Sequence, residues 1–289
     1  MVRIDVVVAV RNEEAALPRF IGELRALELP GEVRLGVLFI EDASVDGTLP
    51  VLRQLSKADP SIRYWALENG FGQGPALVFG LTHSTADAVI MMDVDGGHPT
   101  SIIPDMIEHF LRGARVVQAR RLSDHGRPRY RTVGSAAFRM GARLLTGVDF
   151  AQQNIYFRLL AADLVPAIVD HPQYWPLLRF PLPGEGGGDL VVLDVVARDR
   201  EFGATKYGPV RLARLAADGV LSLVEGTRAM ALLFLAAAMA LALLVAGSWI
   251  LGFGLLLATA ALVLRARALR QSDALSRMKV DETSDSIAE

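Results

Sequence analysis

Two aspartates one residue apart, Asp93 and Asp95, stand at the end of a predicted buried strand. The apolar run 88–92 precedes them and a helical pattern begins near Ile102, so the pair falls where open α/β sheets bind ligands. Carboxylates at this spacing can share a hard divalent cation, Mg²⁺ or Mn²⁺, that also holds a diphosphate. A solvated turn has the same composition, so the meaning of the pair depends on the elements around it.

Strand-like and helical segments alternate four times before residue 112. This alternation predicts an α/β fold with a mostly parallel sheet and helices on both faces. It also places clusters of polar residues after the strands, where a site would be built. The predicted strands cover residues 4–10, 35–40, 62–67, 88–93, 115–119 and 190–196, and the predicted helices cover 15–27 and 49–58, with two more starting around Pro75 and Ile102.

Composition excludes several functions. A net charge of −2 argues against a general nucleic-acid binder, and the absence of cysteine excludes disulfides, thiol nucleophiles and thiolate metal sites. The glycines of the loop Gly70-x-Gly72-x-Gly74 follow the third strand, not the first, and precede Pro75. We therefore reject a hydride-transfer cofactor, and we expect this backbone to pass close to a ligand or a neighbouring helix.

A run of 36 residues, 229–264, contains no charged side chain. As one helix it would be ~54 Å long, well beyond the ~30 Å hydrocarbon core of a bilayer. We therefore predict a two-helix transmembrane hairpin divided near Gly247-Ser248, with one tilted span, or one span plus a re-entrant piece, as the alternatives. Basic residues on both flanks predict that both ends of the hairpin are cytoplasmic.

The predicted organisation has four parts: a cytosolic α/β domain, an amphipathic juxtamembrane segment, the hairpin, and a cytosolic basic and polar tail. No signal peptide is recognised in Met1-Val2-Arg3 and the residues after it. The tail is expected to be disordered after Gln271. The four parts cover residues 1–210, 211–228, 229–264 and 265–289.

Several short motifs along the first two-thirds of the chain resemble, in order and spacing, the family-two glycosyltransferases with the GT-A fold. The resemblance is to the dolichol-phosphate mannose synthase and polyprenyl-phosphate glycosyltransferase branch, and the predicted hairpin extends it. The motifs are residues 8–14 (Val-Ala-Val-Arg-Asn-Glu-Glu), 41–48 (Glu-Asp-Ala-Ser-Val-Asp-Gly-Thr), 72–77 (Gly-Gln-Gly-Pro-Ala-Leu) and 93–99 (Asp-Val-Asp-Gly-Gly-His-Pro), then Arg120, Phe157-Arg158 and 203–206 (Gly-Ala-Thr-Lys).

This resemblance implies a role for each matched residue. Asp93 and Asp95 would hold Mg²⁺ or Mn²⁺ against the donor diphosphate, and the catalytic set would be completed by Arg120, Arg131 and Lys206, which would meet the acceptor phosphate or the diphosphate. The residues implied to bind the nucleotide-sugar donor are Val10, Asn12, Glu13, Asp42, Gln73 and Asp93.

The activity implied is transfer of a sugar from a UDP- or GDP-linked donor to a polyprenyl phosphate, with inversion at the anomeric carbon. The protein would be integral to a bacterial-type cell membrane with its catalytic domain in the cytosol, and a homo-oligomer is compatible with this interpretation. Two alternatives stay open: sugar transfer to a glycan or glycolipid, and a non-catalytic membrane scaffold of the same fold.

The chain departs from the family pattern at three places. In the first motif Arg11 replaces a tyrosine and Ala9 a proline, and Gly97 stands where the family often has a metal-binding glutamine. The segment Gln152-Gln153-Asn154 lacks the acidic residues expected there, and Asp149 is the nearest carboxylate. The changes in the first motif predict a different contact with the base, and the missing acidic residues predict an unusual donor sugar or acceptor.

Overall fold

A mixed eight-stranded sheet carries the residues of interest. The structure is a computed structural model and describes residues 1–121, 157–169, 190–195, 255 and 278–284. Apart from Leu255, all of these residues belong to one unit of the chain.

The predicted strands and the first four helices are all found, with bounds that differ by one or two residues. Two short strands, β6 and β8, were not predicted. The strands are β1 (Val2–Val10), β2 (Val33–Glu41), β3 (Ile62–Leu67), β4 (Ala88–Met91), β5 (Val116–Arg121), β6 (Arg158–Ala161), β7 (Leu190–Val195) and β8 (Val280–Thr283). The helices are α1 (Leu17–Arg25), α2 (Thr48–Ala58), α3 (Gln73–His83), α4 (Ile103–Leu111) and α5 (Val165–Val169).

The sheet has the order β7-β5-β6-β4-β1-β2-β3-β8. Strands β1 to β4 are parallel neighbours, and β5 pairs in parallel with β7, which confirms the predicted parallel arrangement for these strands. Strand β6 lies antiparallel between β4 and β5, where Arg158 is aligned with both Met91 and Gln118. The sheet is therefore mixed at both sides of a parallel centre.

Helices cover both faces of the sheet, as predicted. In β1, Ile4, Val6 and Val8 are fully buried in one cluster with residues of α1, α2 and α4. The side chain of Val7 points to the opposite face, because successive residues of a strand alternate, and there it meets Gly80 of α3. Helix α3 is buried along most of its length, so its amphipathic pattern is weak.

Gly80 marks the closest approach of α3 to the sheet. A Cβ atom at this position would lie 2.5 Å from Cγ1 of Val7 and 2.9 Å from Cγ1 of Ile40. We expect Gly80→Ala to lower the free energy of unfolding by about 1–3 kcal/mol through overpacking, although alanine alone would favour the helix by ~1 kcal/mol. The matched control is Gly22→Ala in α1, where nothing lies within 4 Å, and thermal denaturation should show stabilisation there. Equal effects of the two changes would contradict the close packing of α3.

Strand β8 corrects the expectation of a disordered tail. Residues 280–283 pair antiparallel with β3. The carboxylate of Glu282 accepts hydrogen bonds from Nε of Arg53, at 2.8 and 3.0 Å, and from the hydroxyl of Tyr64. The guanidinium of Arg53 holds the pKa of Glu282 below its usual range. These contacts hold the tail at the edge of the sheet, so the prediction of disorder is wrong for residues 280–283.

The predicted membrane hairpin at 229–264 lies outside the described residues, apart from Leu255. Among the helices that the structure describes, none combines the length and apolar character needed to cross a bilayer. The hairpin, the juxtamembrane segment and the domain boundaries therefore remain predictions.

Candidate active site

The carboxyl ends of β1 to β4 meet at one edge of the sheet, because these strands are parallel neighbours. The predicted site residues with numbers below 100 lie at the ends of these strands or in the loops that follow, so the structure brings them to the same edge. These residues are Val10 at the end of β1, Asn12 and Glu13 after β1, Asp42 after β2, Gln73 at the start of α3, and Asp93 and Asp95 after β4.

The loops after β1 and β2 are locked together by reciprocal hydrogen bonds. The amide of Asn12 donates to Oγ of Ser44 at 3.0 Å, and Oδ1 of Asn12 accepts from the amide of Val45 at 2.9 Å. Val10 is 1% exposed, and its carbonyl accepts the amide of Asp42 at 2.9 Å. Val10 and Asn12 therefore set the register of the two loops, and a contact of Val10 with a ligand would have to come from its backbone.

The Asp-Gly-Thr end of the second motif begins α2 and also anchors the first loop. Oδ1 of Asp46 accepts from the amide and the hydroxyl of Thr48, and Oγ1 of Thr48 accepts from the amide of Glu13 at 2.9 Å. Burial raises the pKa of Asp46, but these bonds and one from the amide of Glu14 outweigh it and leave that pKa below its usual value. Asp46 and Thr48 had no role predicted from the sequence, although an Asp whose side chain accepts the amide two residues later is a common turn signal.

Asp42 fastens the glycine loop to β2. It is 2% exposed, and its two carboxylate oxygens accept separate backbone amides: Oδ1 from Phe71 at 2.6 Å and Oδ2 from Gly72 at 2.9 Å. Nη1 of Arg11 lies 3.5 Å from Oδ2. The same guanidinium covers Gly70, where a Cβ atom would come within 2.2 Å of Nη1. This backbone therefore passes close to the side chain of Arg11, in the loop after β1, and the predicted approach to a ligand is not tested.

Three hydrogen bonds stabilise the turn after β4. Nε2 of Gln73 donates to Oδ1 of Asp93, which brings together two residues predicted to bind the donor. The amide of Asp93 donates to Nδ1 of His98 at 3.1 Å, and Oδ1 of Asp95 accepts from the amide of Gly97 at 2.9 Å. These hydrogen bonds define the conformation of the turn. A cleft beside it is lined by Arg19, Phe20, Glu23, Asp93, Val94, Gly96 and His98.

Arg120, at the end of β5, forms a two-pronged ion pair with Asp194 of β7. Nε of Arg120 lies 2.5 Å from Oδ1 of Asp194, and Nη2 lies 2.9 Å from Oδ2. The pair raises the pKa of Arg120 and lowers that of Asp194. Both side chains are about 40% exposed, so a phosphate that reached Arg120 would compete only with a weak surface pair. No signal in the sequence pointed to Asp194 as the partner of Arg120.

Arg131 and Lys206, the other two predicted acceptor residues, lie outside the described residues. The same holds for Gln152-Gln153-Asn154 and for Asp149. Their predicted roles are therefore not tested.

The two carboxylates on the turn after β4 fit a divalent cation that is also bound by a substrate. Within the part of the chain that the structure describes, no group of three or more His, Cys, Asp and Glu side chains is arranged to enclose a metal ion. Mg²⁺ is commonly bound by one or two carboxylates together with substrate phosphate oxygens. Asp93 and Asp95 supply two carboxylates on one short turn, which meets that requirement.

Curated relatives align with most of this chain. A prophage bactoprenol glucosyl transferase homolog of Escherichia coli (strain K12) is 31% identical over 220 residues, covering 76% of this chain and 72% of the relative. A bactoprenol glucosyl transferase of Shigella phage SfX is 33% identical over 223 residues, with coverage of 76% and 72%.

Solved structures show the same fold. Mannosyl-3-phosphoglycerate synthase from Rubrobacter xylanophilus superposes with a TM-score of 0.54 at 18% identity, covering 76% of this chain and 72% of that one. Glucosyl-3-phosphoglycerate synthase from Mycobacterium tuberculosis, solved in complex with Mn²⁺ and UDP-glucose, gives a TM-score of 0.51 at 18% identity, with coverage of 77% and 78%. These likenesses show that the described part of the chain has the GT-A fold.

The sequence model of glycosyl transferase family 2 matches residues 5–159, more than half of the chain. The match contains the interlocked loops after β1 and β2, the glycine loop and the carboxylate turn after β4. Together with relatives above 30% identity, it confirms the recognition made from the motifs. The chain therefore belongs to glycosyl transferase family 2 and is a glycosyltransferase.

Proposed function

We propose that this glycosyltransferase moves a sugar from a UDP- or GDP-linked donor to a polyprenyl phosphate. The observation that supports a nucleotide-sugar donor is that Asp93 and Asp95 lie on one hydrogen-bonded turn at the carboxyl edge of the sheet. The acceptor half is supported by the relatives, which are named for bactoprenol, a polyprenol.

On the donor side, each described residue has a distinct task. Asp93 and Asp95 would hold Mg²⁺ or Mn²⁺, which supplies positive charge against the diphosphate as it departs. Gln73 fixes one oxygen of Asp93. Asp42 acts through the glycine loop, whose two amides it binds. Glu13 and the exposed guanidinium of Arg11 are the polar groups that we assign to the nucleoside.

On the acceptor side, an oxygen of the lipid phosphate attacks the anomeric carbon of the sugar. The bond between that carbon and the diphosphate oxygen breaks, and the nucleoside diphosphate leaves with the electron pair. A phosphate acceptor is already an anion, so it needs positioning by cations more than it needs a general base. We assign this positioning to Arg131 and Lys206, with Arg120 joining them if its pair with Asp194 opens. Direct displacement inverts the configuration at the anomeric carbon.

A membrane tether suits this reaction because the lipid acceptor resides in the bilayer. We propose that residues 229–264 form the tether, as a hairpin with both ends cytoplasmic, and that the catalytic domain is cytosolic. The basis is the uncharged run and its basic flanks. A homo-oligomer is compatible with this arrangement.

The test of the proposed function is a donor screen in detergent with radiolabelled nucleotide-sugars. Each donor is offered with a polyprenyl phosphate, with the same polyprenol lacking the phosphate, and with a glycolipid. We expect label in lipid only in the first case. Label in the glycolipid alone, or in the polyprenol that lacks the phosphate, would contradict the proposed acceptor.

Replacing Arg131 with alanine separates the acceptor from the donor. Loss of a charge-assisted hydrogen bond worth ~1.5–3 kcal/mol should reduce acceptor efficiency by roughly 10- to 100-fold, while donor affinity measured by calorimetry stays near its original value. Arg131→Lys should restore only part of the loss, because an ammonium cannot make the planar two-pronged contact.

The matched control for Arg131 is Arg112→Ala, since Arg112 directly follows α4, its side chain is 65% exposed, and among the described residues it pairs only with Glu108. That change should alter neither titration. Equal losses of donor and acceptor binding in the Arg131 variant, or no loss in either, would remove Arg131 from the acceptor site.

A further inference from the structure

His98 contacts the backbone of the turn after β4 directly. Its Nδ1 accepts the amide hydrogen of Asp93 at 3.1 Å. A ring nitrogen that accepts a hydrogen bond carries no proton, so in the neutral ring the proton is on Nε2. The hydrogen bond therefore fixes both the tautomer of His98 and the orientation of the first residue of the turn.

The ring of His98 is itself held by stacking. It lies against the ring of Phe157, with the centroids 5.0 Å apart and the planes 16° from parallel. Phe157 is 2% exposed and directly precedes β6, which pairs with β4. His98 thus links the amide of Asp93 to Phe157, beside the strand that pairs with β4. The turn is therefore stabilised by a residue that lies far from it in the sequence.

His98 also lies next to the residues proposed to bind the metal. His98 lines the same cleft as Asp93 and Gly96, and Gly96 has φ near +79°, a conformation that other residues rarely adopt. A turn of this kind has several backbone conformations open to it. Bonds at Asp93 and at Asp95 select one of them, and the bond at Asp93 is made to His98, whose ring stacks on Phe157 directly before β6.

We propose that His98 is a positioning residue that holds the backbone of Asp93 in the conformation needed for metal and diphosphate binding. This inference rests on the proposed function, because that function assigns Asp93 and Asp95 to the cation. Groups that orient metal-binding side chains from outside commonly contribute 10- to 100-fold to metal affinity. The essential feature of His98 is then the Nδ1 acceptor, and the stacked ring is the means of placing it.

Two substitutions separate the acceptor from the ring. His98→Asn keeps an acceptor, Oδ1, bonded to Cγ as Nδ1 is, but loses the ring that stacks on Phe157. His98→Phe keeps a stacking ring of similar size but has no acceptor. The matched control is His109→Phe, since His109 lies on α4 and does not line the cleft of the site.

The measurement is calorimetric titration of Mn²⁺ into the full-length protein in detergent with UDP, and in parallel with GDP. We expect His98→Phe to weaken Mn²⁺ binding by roughly 10- to 100-fold, His98→Asn to recover most of that loss, and His109→Phe to match the unmodified protein. Raising the Mn²⁺ concentration should restore transfer by the His98→Phe variant, which loss of folding would not allow. If that variant does not fold, His98→Leu against His98→Asn gives the same contrast.

Unchanged Mn²⁺ affinity in both His98 variants, or an equal loss in both, would overturn the role of the acceptor while leaving the proposed function in place. Absence of Mn²⁺ binding by the unmodified protein with either nucleotide would overturn both. The two failures are therefore distinguishable in one set of titrations.

Discussion

Replacing Asp95 with asparagine is expected to reduce sugar transfer by about 10²–10³-fold or more, the range seen when one group that stabilises developing negative charge is removed. The amide keeps an oxygen that can accept the hydrogen bond from Gly97, now 2.9 Å long, so the turn should retain its shape. It cannot supply the negative charge that holds a cation against a diphosphate. The measurement is the initial rate at saturating donor and acceptor, together with the melting temperature.

A matched control for the Asp95 change is Asp105→Asn, which alters an exposed aspartate in the first turn of α4. That variant should transfer at the unmodified rate. Chelation by EDTA should abolish the activity of the unmodified protein, and added Mg²⁺ or Mn²⁺ should restore it. Transfer that is unaffected by the Asp95 change and by EDTA would contradict the metal assignment.

Replacing Asp42 with asparagine is expected to weaken donor binding by about 10²-fold, the second largest effect. The two carboxylate oxygens of Asp42 accept the amides of Phe71 and Gly72, and an asparagine offers only one oxygen. One buried amide would then face an NH₂ group, and the charge opposite Arg11 would be lost. The unsatisfied amide costs about 1–3 kcal/mol and loss of the pair with the half-exposed Arg11 adds up to ~1 kcal/mol, so the glycine loop should loosen.

The Asp42 prediction is checked by calorimetry with UDP and GDP and by hydrogen exchange at residues 70–72. Faster exchange in this loop together with the weaker binding would place Asp42 as the anchor of the loop. The control is Asp59→Asn, because Asp59 accepts bonds from Ser61 and Arg25 away from this edge. Weaker binding with unchanged exchange would mean that Asp42 acts on the nucleoside directly, and unchanged binding would remove it from the donor site.

The parallel centre of the sheet was predictable because its signals are local. Each of β1 to β4 is a short apolar run that ends in polar residues, and each precedes a helical pattern or a turn. Parallel strands end at the same edge, so the sequence positions of Asn12, Asp42 and Asp93 were enough to bring their loops together. That Asp93 and Asp95 lie on one turn was predictable for the same reason, and their binding of a metal stays a prediction.

Strands β6 and β8 were not predictable, because their stability comes from distant partners. Strand β6 begins with Arg158, a residue type that usually marks the surface, yet it is fully buried between β4 and β5. Strand β8 has the mostly polar sequence Val-Asp-Glu-Thr, and Glu282 is held by Arg53, which lies 229 positions earlier. A single sequence gives no signal for such pairs.

The contacts that the site residues make could not be predicted from the sequence either. The sequence identified Asp42 and Arg120 by type and position, but it could not tell that Asp42 binds the glycine loop or that Arg120 pairs with Asp194. His98 was noted only as part of a motif. Its hydrogen bond to Asp93 and its stacking on Phe157 depend on β6, which the sequence analysis did not detect.

Mass spectrometry of the lipid product and its nucleotide by-product tests the central claim most directly. With the donor that the unmodified protein uses, we predict a lipid that carries one phosphate and one sugar, and release of one nucleoside diphosphate for each lipid formed. The Asp95→Asn variant should form neither product at a comparable rate. Release of a nucleoside monophosphate, or a lipid with two phosphates, would mean that a phosphosugar is transferred and would contradict this account.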